Sequence, residues 1–350
     1  MKRSPYLAVL ALTLCALVLA LGACGDDNSS SGGSSTGGDQ SSAGGKKIRL
    51  GLVLPSLSIE AILDVKNGAD AEAKKLGNVE LLVTGNNDPQ QQVAAFENYL
   101  ATGVDAIGFD SLDAKSIAPA VKKANEQGVP VIAMLSGSAS GKVVTMLEPD
   151  QVLSGEKLGK WLAEKLGGKG KVAYITGNAA TTADQQLREG WGKGLASASG
   201  IEIAPDSPAT NFDRAQALNV TNNVLTANPD LNGIYGVIDD VALGAFDAAK
   251  SAGRENDVVI QGVNGTCEAL SSILKGELDT TVMNFLPIVG SQFVTIARDV
   301  IDGKSVPATQ HVPTYLLDQE RAKAILAGDM DVPAGLNVKE RLDAAEAGCK

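Results

Sequence analysis

The sequence predicts an α/β protein built as two doubly wound parallel-sheet lobes. Short β-branched apolar runs alternate with helical stretches from residue 48 onward, the rhythm of parallel sheets covered on both faces. The 350 residues exceed one compact domain of about 100–200, so two folded bodies plus appendages are expected. Apolar residues make up 44% of the chain and charged ones 20%, enough to fill cores of that size.

The elements follow in order. Strands are expected over 48–54, 79–83, 106–109 and 129–134, with helices over 60–76, 90–102 and 114–127 between them. Asp88-Pro89 opens the second of these helices as a cap followed by a first-turn proline, and Gly128 closes the third. A second series has strands over 171–176, 201–204, 233–237, 258–261 and 280–283. Its helices lie over 150–166, 184–198, 214–227, 240–252, 267–275 and 287–302. The tail holds a strand over 314–317 and helices over 319–327 and 338–347. Trp161 and Trp191 sit at helical spacing with leucines and are expected in the core, as are Phe109 and Phe285.

The N-terminus points outside the cytoplasm. Lys2 and Arg3 precede an apolar run from Tyr6 to Ala23, the order of a secretory signal. Leu21-Gly22-Ala23-Cys24 resembles the lipobox of bacterial lipoproteins, which implies a signal peptide over 1–23 and lipidation of Cys24. An uncleaved membrane anchor is the alternative, opposed by the polar tract that follows without a basic flank. Residues 24–45, nearly all Gly, Ser, Asp, Asn, Thr and Gln, are expected to form a disordered linker. With Cys15 in the signal and Cys24 lipidated, Cys267 and Cys349 remain and are expected to pair. In the chain-entropy model that cross-link restrains the unfolded chain by about 4–5 kcal/mol.

Composition removes several functions. Thirty basic against 41 acidic residues, with no basic run, argue against a nucleic-acid partner. One histidine, His311, supports neither a His-rich metal site nor the usual hydrolase triads. The first strand-to-helix turn, Leu54-Pro55-Ser56-Leu57-Ser58, has none of the glycines of a dinucleotide site. No metal and no cofactor are expected, and no enzyme. Asp239 and Asp240 are adjacent in sequence, which suits a helix cap better than a catalytic pair.

In doubly wound sheets, ligands bind beyond the carboxyl ends of the strands. Those ends offer Ser56, Ser58, Asp110, Asn178 and Asp239 as candidate ligand contacts, although such residues also serve as caps and turns. Glu60 and Asp110 carry the charge to attract an amine-bearing ligand, although Glu60 is better accounted for as a solvated helix start.

Several segments resemble the ribose-binding proteins of ABC importers. They are Lys66-Asn67-Gly68-Ala69, the run from Val121 to Ile132 with Gly128-Val129-Pro130 towards its end, Asn211-Phe212-Asp213-Arg214, Asp239-Asp240-Val241-Ala242-Leu243-Gly244-Ala245 and Gly262-Val263-Asn264-Gly265-Thr266. The likeness is collinear from about residue 48 to 317. It implies a monomeric two-lobed receptor that closes over a small solute and hands it to a membrane permease. It also implies three crossings between lobes, near 148–150, 284–287 and 314–317. The lobes would then be 46–149 plus 286–314, and 150–285 plus 315–350.

The gripping positions depart from that pattern. The places of an asparagine and two phenylalanines fall on Ile59, Ala61 and Ile62, and those of an Asp-Arg pair on Leu135 and Ser136. A binding arginine falls on Gln185, an asparagine on Ile238, an aspartate on Asn264 and a glutamine on Asn284. Charge and aromatic stacking are both lost, so ribose is expected to bind badly, and the ligand is expected to be a small polar, sugar-like or sugar-derived molecule. The rival role is a sensory receptor for a membrane kinase or chemoreceptor.

Overall fold

The computed structural model describes residues 47–333 and 335–349. The expected signal peptide, Cys24 and the linker lie outside the described residues.

The first sheet contains β1 (Ile48–Leu54), β2 (Val79–Gly85), β3 (Ala106–Phe109), β4 (Val131–Met134), β5 (Thr145–Pro149) and β11 (Thr309–Val312), in the order β11-β5-β4-β3-β1-β2. The second contains β6 (Lys169–Ile175), β7 (Gly200–Ile203), β8 (Leu231–Gly236), β9 (Val259–Asn264), β10 (Thr280–Asn284) and β12 (Thr314–Asp318), in the order β12-β10-β9-β8-β6-β7. The two orders are the same topology used twice. All neighbours pair in parallel except β10 and β12. That exception has a simple cause: the chain enters β12 from β11 across Pro313 alone, and parallel entry would need a long crossover.

In the first lobe α1 (Glu60–Leu76), α2 (Pro89–Thr102), α3 (Ala118–Glu126) and α9 (Leu286–Ile301) cover the sheet. Around the second lie α4 (Gln151–Lys165), α5 (Thr182–Leu195), α6 (Arg214–Ala227), α7 (Asp239–Ser251) and α8 (Cys267–Lys275), with α10 (Gln319–Ala327) and α11 (Val338–Glu346) in the tail. The chain therefore passes between sheets after Pro149, at Phe285 and at Pro313.

Local chemistry sets the helix starts. Asp88, Asp150, Thr181, Asp213, Thr266 and Asp318 each cap with a side-chain oxygen that accepts a backbone N–H of the first turn. α3 starts four residues later than its apolar pattern suggests. Asp113 turns its carboxylate onto the N–H groups of Lys115 and Ser116 and holds that stretch as a turn.

Glycines bring the helices into backbone contact. A methyl on Gly68 would overlap the Pro287 carbonyl, and one on Gly290 the Val65 carbonyl, so α1 and α9 touch directly. In the second lobe Gly155, Gly159, Gly190 and Gly194 do the same for α4 and α5. The first lobe buries aliphatics on one sheet face with Phe293, and Phe96, Phe109 and Tyr99 on the other. Tyr174, Trp191 and Tyr235 pack ring against ring at the centre of the second, 5.1–5.9 Å between centroids. Phe109 and Phe285 are core residues, as expected. Trp161 is not: it is half-buried, donates from Nε1 to Asp318 at 3.0 Å and carries the Lys165 ammonium over its ring.

Cys267 and Cys349 form a disulfide with their Cα atoms 5.7 Å apart. It pins the end of the tail to the start of α8.

Candidate functional site

The carboxyl ends of both sheets face each other and enclose a cavity of about 80 Å3. From the first lobe, Pro55 and Ile59 follow β1, Ile62 lies in the first turn of α1, Asp110 and Ser111 follow β3, and Leu135 and Ser136 follow β4. From the second, Thr181 and Asp184 lie at the start of α5, Phe212 precedes α6, Val237 and Ile238 follow β8, and Asn264 ends β9. Gln151, just past the first crossing, and Asn284 and Leu286, at the second, complete the lining.

The cavity is closed by bonds between the lobes. The Asn178 side chain donates to the Leu112 carbonyl at 3.0 Å, and the Gly137 N–H to Thr182 Oγ1 at 3.0 Å. Across the opposite lip, the Cys267 N–H donates to Glu60 Oε1 at 2.7 Å. From the stapled tail, Arg341 reaches Asp64 of α1 at 3.5 Å and donates to the Gly265 carbonyl at 2.7 Å.

Backbone strain gathers at the walls. Leu135 (φ 53°), Phe212 (φ 60°) and Asn264 (φ 117°) all line the cavity with positive φ, a conformation that costs a side-chain-bearing residue on the order of 1–3 kcal/mol. Asn211, next to Phe212, shares it. The Phe212 ring lies so close to Gly177 that a methyl there would strike it.

Two buried carboxyls line the cavity and behave differently. Asp184 accepts from Tyr174 Oη at 2.9 Å, Thr176 Oγ1 at 2.8 Å and the N–H groups of Gly177 and Asn178, both at 2.9 Å. Its acceptor capacity is spent on tying β6 to α5. Asp110 is 6% exposed; burial pushes its carboxyl well above the ordinary carboxylate range, and a backbone contact from Ser136 pulls weakly the other way. Asn284 donates from Nδ2 to Asn264 Oδ1 at 3.1 Å, which leaves its own oxygen without a partner. The Gln151 side-chain oxygen is likewise buried and unpartnered.

Of the candidate contacts, the structure brings Ile59, Ile62, Asp110, Leu135, Ser136, Ile238, Asn264 and Asn284 to the cavity. The other six lie away from it, each for a visible reason. Ser56 and Ser58 bond each other at 2.7 Å on the exposed surface. Glu60 and Asn178 are spent on the bonds between lobes. Gln185 turns back to the Ala179 carbonyl at 2.7 Å. Asp239 is wholly buried, where it accepts from Thr266 N and Thr281 Oγ1, both at 2.8 Å; burial first, then the Asp240 charge, against these bonds, leaves its carboxyl pushed up to about 7.

Gln151, Phe212 and Leu286 also line the cavity without being singled out by the sequence pattern. Phe212 supplies the aromatic face that the residues after β1 lack, and the one signal for it is an isolated aromatic between Asn211 and Asp213 in a polar loop. Gln151 reads as an ordinary first-turn residue behind the Asp150 cap. The packing of the second lobe against the first places it on the cavity.

Comparison with known proteins agrees with this architecture. The ribose import binding protein RbsB of Bacillus subtilis (strain 168) is 32% identical over 275 residues, spanning 79% of this chain and 88% of that one. The xylitol-binding protein of Mycolicibacterium smegmatis (strain ATCC 700084 / mc(2)155) is 28% identical over 84% of this chain and 81% of its own. Among solved structures, an ABC transporter periplasmic solute binding protein from Actinobacillus succinogenes 130z with bound D-allose superposes with a TM-score of 0.73 at 29% identity, covering 79% of this chain and 99% of that one. A solute binding protein of an ABC transporter from Mycobacterium smegmatis, with bound glycerol, gives 0.75 at 27% over 80% and 96%. The family model described as periplasmic binding protein domain matches residues 50–305. Its members are substrate-binding components of transporters rather than enzymes, and the chain belongs to this periplasmic binding protein family.

Proposed function

We propose that the protein captures a small sugar-like or polyol ligand outside the cytoplasm and delivers it to an ABC permease, as a monomer tethered to the membrane through a lipid on Cys24. One observation carries the reading of the site: the cavity between the lobes holds the buried side-chain oxygens of Asn284 and Gln151 without partners. An acceptor dried in this way costs about 1–3 kcal/mol until a ligand donor meets it. The lobes are taken as 46–149 plus 286–314 and 150–285 plus 315–350, hinged at the three crossings, with the Cys267–Cys349 bond holding the tail to the second. Ribose is not the proposed ligand, because Ile59, Ile62, Leu135 and Ile238 present apolar atoms to the cavity.

Thermal denaturation against pentoses, hexoses and polyols tests the reading. A true ligand at a hundred times its Kd stabilises the native state by about 2.7 kcal/mol. Asn284→Ala should weaken it roughly tenfold or more. A ligand shift indifferent to that variant would place the site elsewhere. Small-angle scattering should show a smaller radius of gyration with ligand, and an unchanged curve would count against hinge closure. For the anchor, Cys24→Ala should move the protein out of the membrane fraction.

A further inference from the structure

Among the described residues the cavity holds two unpartnered side-chain acceptors and a buried carboxyl, with no cationic side chain to match them. Asn284 and Gln151 are 2% and 5% exposed, and in each the side-chain oxygen is unpartnered. Asn284 donates from Nδ2 to Asn264 Oδ1, and its own oxygen is the end without a partner. Asp110 adds a buried carboxyl that takes a backbone hydrogen bond from Ser136. These three groups come from the end of β3, the start of α4 and the end of β10, and they line the same space. No Lys, Arg or His lines it among the described residues. The other carboxyl there, Asp184, is already occupied by four donors.

Ligand chemistry can be matched to that inventory. A hydroxyl brings one donor together with acceptor lone pairs of its own, whereas a protonated amine brings three donors, no acceptor and a positive charge. Ile59, Ile62, Leu135 and Ile238 make much of the remaining wall apolar, and none of the polar groups beside them carries a positive charge to balance the Asp110 carboxylate. Resting on the reading of this cavity as the ligand site, we propose that the ligand is a small sugar or polyol bearing a protonated amine, and that Asp110 selects it by serving as counter-ion to the ammonium. Burial raises the Asp110 carboxyl whereas an ammonium beside it favours the ionised form, so a proton held by the carboxyl before binding leaves to solvent as the amine binds. A neutral polyol gives no such release.

Isothermal titration of the purified protein near pH 7 with matched pairs decides the matter: 3-amino-1,2-propanediol against glycerol, D-glucosamine against D-glucose, and 1-amino-1-deoxysorbitol against sorbitol. At least one amine should bind ten times or more tighter than its neutral partner, and buffers of different ionisation enthalpy should reveal proton release with the amine alone. In Asp110→Asn the advantage of the amine should collapse and the proton release vanish. Should a neutral polyol bind as tightly as its amine, with loss of binding in Asn284→Ala, the amine assignment falls while the site stands. Binding indifferent to Asn284→Ala would remove the site itself. Failure of every amine in the set to bind overturns the proposal.

Discussion

The two edges of the cleft use carboxyls in opposite ways. On the second lobe, Asp184 is surrounded by Tyr174, Thr176 and two backbone N–H groups, and Asp239 by Thr266 and Thr281. On the first, Asp110 is buried with almost no such support. A buried carboxyl that is fully hydrogen-bonded holds secondary structure together. One held by a single backbone donor is costlier to bury as a charge and keeps acceptor capacity that a ligand can use. Burial by itself therefore does not identify a binding group; the donor count around it does.

The largest effects expected from testing this contrast come from beneath both edges, where helix pairs meet backbone to backbone. Gly290→Ala in α9 and Gly190→Ala in α5 would each drive a methyl into a facing carbonyl. Each should destabilise its lobe by about 3 kcal/mol, the upper range of overpacking, because backbone cannot rotate aside as a side chain can. Chemical denaturation of the two variants measures this. A loss under 1 kcal/mol in either would show that the helices slide apart more readily than the packing implies.

Next comes the direct comparison of the carboxyls. Asp184→Asn places an amide NH2 among groups that already donate, and should lower stability by about 2–3 kcal/mol. Asp110→Asn should act in the other direction at pH 7. Its carboxyl is raised in the folded state, so the native protein holds a proton that the unfolded chain has released, and the unfolded chain gains as pH rises above about 4. Replacing it removes that penalty. Equal destabilisation by the two variants would erase the distinction between the edges.

The smallest effect is a pH dependence where the edges meet. Burial first, then the Glu60 and Glu268 charges, push Asp240 of α7 up to about 6. Unfolded aspartate loses its proton near pH 4, so this group's contribution is fully present below that and is lost as pH rises to about 6. Asp240→Asn should flatten the fall in stability over this window by about 1–2 kcal/mol, a figure discounted for solvent around the group. Identical pH profiles for the variant and the parent protein would mean that Asp240 is better solvated than its position implies.

Most of the scaffold was legible because periodicity and capping are local. The helices Arg214–Ala227 and Cys267–Lys275 and the strand Ile48–Leu54 stand where apolar spacing and caps place them. Two strands carry no such local signal. β5 carries Glu148 and Pro149, and β11 is the four-residue edge Thr309–Val312; neither has the apolar run of a buried strand. They are strands because each finds a partner, β5 lying between β4 and β11, and that pairing joins residues more than 160 positions apart.

The sequence by itself determined the two-lobed α/β architecture, the family, the acidic balance and the apolar replacements at Ile59, Ile62, Leu135 and Ile238. These rest on residue type and on spacing along the chain. Tertiary structure alone decided which polar groups were left for a ligand. Glu60 and Asn178 look as available as Asp110 until the opposite lobe supplies their partners, and Gln151 and Phe212 look ordinary until the fold places them on the cavity. The physical reason is that a binding group is defined by what remains unpaired once both lobes have met, and those partners lie as many as 207 residues away in sequence.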